Sequence, residues 1–116
     1  MGYFDETKLI VDTGIALARL GEAPRAEPLI AEGLRREKTT QQRGRAFHAF
    51  WLASTQLQQG KLNDACHSAG LALDLTASID SPRVAGHVQE FQRRLGPYAR
   101  EAPVIAFEQR MREMLG

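Results

Sequence analysis

Residues 14–33, GIALARLGEAPRAEPLIAEG, and residues 53–72, ASTQLQQGKLNDACHSAGLA, carry one pattern twice. Gly14, Gly21, Ala26 and Gly33 of the first stretch return as Ala53, Gly60, Ala65 and Ala72 of the second, displaced by 39 residues. Small residues at fixed offsets along two helical stretches are what closely stacked helix pairs need, because bulk there would push the backbones apart. The duplication predicts a short helical solenoid, an architecture suited to holding another molecule.

Working outward from these stretches, Gly and Pro punctuate long helical patterns, and no alternating β-branched run suggests a strand. The expected helices run over about 5–20, 24–37, 41–58, 61–76, 81–95 and from Pro103 onward. Gly21 and Gly60 close the first and third helices, and Pro24 suits the first turn of the second. Thr39 or Thr40 is positioned to cap the third helix, and Ser81-Pro82 opens the fifth. The first two connections are short, so their helices must fold back as antiparallel hairpins. The fold class is therefore all-α: one domain over 1–116, with pairs at about 5–37, 41–76 and 81–115. The third helix has few polar positions, as a central helix with neighbours on both sides requires.

Bulk composition narrows the function. A hydrophobic content of 43% with 25% charge is that of a folded domain. Fifteen Lys and Arg against fourteen Asp and Glu leave a net charge of +1, without the basic excess of a nucleic-acid binder. A lone Cys66 forms no internal disulfide and fits a reducing compartment. No apolar run approaches the ~18 residues of a membrane span, and residues 1–6 lack secretory-signal character. The expected location is cytoplasmic.

The duplicated spacing resembles the tetratricopeptide repeat, a helix–turn–helix unit of about 34 residues. The period here is 39, which implies helices about a turn longer. A second resemblance rests on Ala65-Cys66, Ala72-Leu73-Asp74-Leu75, Ser81-Pro82-Arg83-Val84, Arg93-Arg94-Leu95, Pro97-Tyr98 and Pro103-Val104 followed by Phe107. These look like the C-terminal repeat region of actinobacterial helix-turn-helix transcriptional regulators. In such proteins, the resemblance implies, a separate domain binds DNA and the repeats sense a partner, dimerise, or both.

Catalytic and metal chemistry find little support. His48, Cys66, His67 and His87 show no ligand spacing, and adjacent Cys66 and His67 diverge by about 100° on a helix. No orienting third group, Gly-rich oxyanion turn or phosphate loop accompanies them. The expectation is no enzyme, no metal and no cofactor. A DNA-reading helix-turn-helix at Gly21 is disfavoured by Leu17, where a small residue is wanted, and by Glu27, where an apolar one is wanted. No direct nucleic-acid contact is expected.

The tetratricopeptide resemblance implies a groove lined by the first helix of each pair. It would take Lys8, Val11, Ile15 and Arg19, then Phe47, Phe50, Ser54 and Gln58, then Arg83, Glu90, Arg93 and Arg94. Arg83 and Arg94 beside Phe47 would suit an acidic-apolar peptide. Along the first helix, charge is gathered on a narrow strip (Asp5, Lys8, Asp12, Arg19), while Leu9, Ile10, Leu17 and Leu20 add to a wide apolar circumference. A solenoid end is normally more polar than this, so a second neighbour is expected, either a preceding repeat or another copy burying Ile10. The sequence thus points to a protein- or peptide-binding module, the regulatory region of a bacterial transcriptional regulator. A self-association scaffold and a small-molecule sensor built around Phe47, Phe50 and Trp51 stand as alternatives.

Overall fold

The structure, a computed structural model, describes residues 6–37, 42–76 and 82–115, without the side chains at 42, 43, 82–84 and 115. Among these described residues six helices follow one another: α1 (Glu6–Arg19), α2 (Ala23–Arg36), α3 (Gln42–Gln58), α4 (Leu62–Thr76), α5 (Pro82–Arg94) and α6 (Ala102–Leu115). A 3-10 turn, Gly96–Tyr98, lies in the last connection, and among the described residues there is no strand. The helix bounds lie close to those expected from the Gly and Pro punctuation. The expected caps Thr39, Thr40 and Ser81 fall outside the described residues.

The two glycine turns are built alike. Gly21 adopts φ +82° and Gly60 φ +77°. The Gly21 N–H donates to the Ala18 carbonyl at 3.0 Å and the Glu22 N–H to that of Leu17 at 2.9 Å. Thirty-nine residues on, Gly60 donates to Leu57 at 3.0 Å and Lys61 to Gln56 at 2.9 Å. This bond pair around a left-handed residue is a Schellman stop. It folds α2 back on α1 and α4 back on α3.

Small residues sit where these hairpins close. A Cβ on Gly14 would lie 2.7 Å from Ile30 Cγ1, and one on Gly33 1.9 Å from Val11 Cγ2. Ala26, Ala53, Ala65 and Ala72 are fully buried. The second pair stacks on the first through α2 against α3. Ala46, Ala49, Phe50, Leu52, Ala53 and Leu57 of α3 are all buried, which makes it the central helix.

The third pair is held differently. α5 rests on α3, and α6 on α4, with Val88, Phe91, Leu95, Val104, Phe107 and Met111 continuing the core. Between α5 and α6 themselves, long side chains make the contact. The Phe91 and Phe107 rings meet edge-on with centroids 5.6 Å apart, and Gln92 Nε2 donates to Glu108 Oε2 at 2.9 Å. Small residues let the first two pairs close up; an aromatic pair spaces the third.

Candidate binding groove

The first helices of the three pairs, α1, α3 and α5, together line a groove of about 360 Å³. From α3 it receives Phe50, Trp51, Ser54 and Gln58, which helical spacing gathers on one side of that helix. His87, Glu90, Phe91 and Arg94 do the same on α5, and Ala18 with Arg19 contribute the end of α1.

The floor is aromatic. Phe50 and Phe91 are buried, with ring centroids 6.4 Å apart. Trp51 and His87 lie nearer the surface at 6.5 Å, and Phe47 packs edge-on against both, 4.9 Å from His87 and 6.5 Å from Trp51. The walls carry charge. The Arg19 guanidinium lies 5.3 Å from the Trp51 ring centroid, a cation–π arrangement. Arg94 Nη1 donates to Ser54 Oγ at 2.8 Å. Glu90, the groove's carboxylate, is ion-paired with Arg93.

The expected groove residues divide. Arg19, Phe50, Ser54, Gln58, Glu90 and Arg94 line the cavity, and Phe47 adjoins it through its ring contacts. Ile15 and Val11 belong to the core instead, at 7% and 1% exposure, because α1 turns that face onto its neighbours. Lys8 is exposed and pairs with Asp12 at 3.0 Å, away from the cavity lining. Arg93 reaches the groove only indirectly, as the partner of Glu90. Arg83 stands on α5, but its side chain lies outside the described residues. Ile10 is half-buried; the exposed large apolar residues nearby are Leu9 of α1 and Leu20 in the turn that follows it, at 50% and 75%. His87 and Phe91 join the lining without being among the residues expected there. Both lie at helical spacing from Glu90 and Arg94, but nothing local in the sequence marks which side of α5 meets α3.

A second polar cluster joins the stacked pairs. The Glu27 carboxylate of α2 accepts hydrogen bonds from Gln59 Nε2 at 2.8 Å, Lys61 Nζ at 2.8 Å and Gln56 Nε2 at 3.2 Å. Ser68 of α4 donates to Gln56 Oε1 at 2.7 Å, which carries the cluster inward. Burial alone would raise the Glu27 pKa; the hydrogen bonds from Lys61, Gln59 and Gln56 outweigh it and hold the carboxyl below its ordinary range. The residue whose charge disfavours a DNA-reading motif thus serves as the acceptor between one pair and the next.

Elsewhere, His48 Nδ1 lies 2.9 Å from the Glu37 carboxylate, tying α3 to the end of α2. Burial, with Glu108 nearby, pushes the Cys66 thiol up, so it stays protonated and a poor nucleophile. Among the described residues no three His, Cys, Asp or Glu side chains gather to hold a metal, and no helix is long and apolar enough to cross a membrane. Comparison with protein-family models, curated proteins and solved structures finds no match.

Proposed function

We propose that the chain is a protein- or peptide-binding repeat module of tetratricopeptide type, working in the cytoplasm as the regulatory or sensing region of a bacterial transcriptional regulator. One observation carries the binding part of this reading: Arg19, Trp51 and Arg94, from three different helices, line one groove. Aromatic residues and Arg are the types that most often dominate binding energy at protein interfaces. The regulatory part is supported by the resemblance of residues 65–107, and the module needs no catalytic chemistry.

Trp51 is the only tryptophan in the chain, so the groove carries its own fluorescent reporter. Selection from a displayed peptide library should enrich sequences that change Trp51 emission on binding, and Phe50→Glu should abolish that change. Enriched peptides that bind without altering Trp51 emission would place the site elsewhere.

Leu9 on α1 and Leu20 in the turn after it, both exposed, favour a second reading, a self-association scaffold. Sedimentation over a concentration series should then show a dimer that Leu9→Glu with Leu20→Glu dissociates. A monomer throughout rejects that reading.

A further inference from the structure

Among the described residues, Lys8, Arg25, Arg35, Arg36, Lys61, Arg93 and Arg110 each meet a carboxylate. Arg19 and Arg94, like Arg45, Arg100 and Arg112, make no such pair among the described residues, and these two line the groove together with Glu90. Glu90 is turned to Arg93 instead. The cavity thus holds two cations, one from α1 and one from α5, and commits its carboxylate to a third.

We infer that the groove recognises a carboxylate, borne on an acidic side chain of an extended partner segment and taken between Arg19 and Arg94, with the segment's neighbouring apolar side chain laid against Trp51. This rests on the peptide-binding reading above and names the chemistry that reading leaves open. Both guanidiniums are already oriented. Arg19 lies by the indole at 5.3 Å, an arrangement that leaves its planar N–H edge available. Arg94 is anchored through Nη1 to Ser54 and has further donors on the same plane. A carboxylate satisfies two such forks at once, and charge-assisted bonds of this kind are about twice as strong as neutral ones. The floor beneath supplies the apolar half of the site through Phe50 and Phe91.

A polyanion is the competing occupant. Glu90 lies among the lining residues, and the whole chain carries only +1, whereas nucleic-acid affinity grows with each phosphate neutralised. A single carboxylate beside an apolar group suits the groove better.

The test uses the full chain and Trp51 emission, titrated with capped hexapeptides bearing one Glu flanked by Leu or Phe, with their Gln counterparts, and with a short single-stranded oligonucleotide. The Glu peptides should bind about tenfold or more tightly than the Gln peptides, the range expected of a charged hydrogen bond. Arg19→Gln and Arg94→Gln should each remove that preference while leaving helical circular dichroism unchanged. Arg94→Lys, which keeps charge but loses the fork, should retain only part of it. Arg112→Gln, an exposed cation of α6 outside the groove, should leave it intact. Equal binding of Glu and Gln peptides overturns the carboxylate inference and leaves the peptide site standing. Binding of neither overturns both, and preference for the oligonucleotide overturns the inference in favour of phosphate.

Discussion

Gly33 of α2 lies directly against Val11 of α1, so close that a Cβ on the glycine would fall 1.9 Å from Val11 Cγ2. A helix-interior glycine costs about 1 kcal/mol relative to alanine, so this one is present for the approach it permits. Gly33→Ala should destabilise by about 1–3 kcal/mol through overpacking, despite its gain in helix propensity. Paired with Val11→Ala, which vacates the contested space, its added cost should shrink in a denaturation cycle.

Gly86 gives the opposite sign. It lies on α5 with nothing within 4 Å of the position a Cβ would take. Gly86→Ala should stabilise by about 0.5–1 kcal/mol, read as a rise in the urea midpoint.

At the turns, space is no issue. A Cβ at Gly21 or at Gly60 would meet nothing within 4 Å, yet both residues adopt positive φ. Alanine at either should cost about 1–2 kcal/mol from backbone strain alone. The two losses should add, since the turns belong to separate hairpins.

The Glu27 cluster predicts an acid limb to stability. The folded carboxyl titrates below its ordinary value of 4.5, so its contribution is complete above that pH and is lost as pH falls through the lower folded value. Glu27→Gln should lower stability near neutrality by about 1–3 kcal/mol. It should also flatten the decline below pH 4.5 in acid titrations of thermal stability. Lys61, raised by its hydrogen bond to Glu27, acts at the other end, its share fading as pH climbs past 10.5.

Cys66 should report unfolding. Its buried, elevated thiol predicts slow reaction with a disulfide reagent at pH 8 and fast reaction in denaturant. A rapid native reaction would contradict its burial.

Much of the scaffold is legible in the residues alone, because its determinants are local. Gly21, Pro24 and Gly60 act on their own backbone, and Ala26, Ala53 and Ala65 announce close contacts by being small. The groove is harder to read for a physical reason. Ile15 and Phe50 each lie on a face that the tetratricopeptide resemblance assigns to the groove, but α1 packs that face against its neighbours and commits Ile15 to the core. Glu27 meets partners 29, 32 and 34 residues away, through pairing that no local pattern encodes. His87 enters the site only because α5 settles on α3 rather than closing against α6.

That last arrangement gives one ring two neighbours of different kinds. Phe91 forms part of the groove floor on one side and sets the distance to Phe107 on the other. Whatever rests on the groove floor therefore rests on the same ring that meets the last helix.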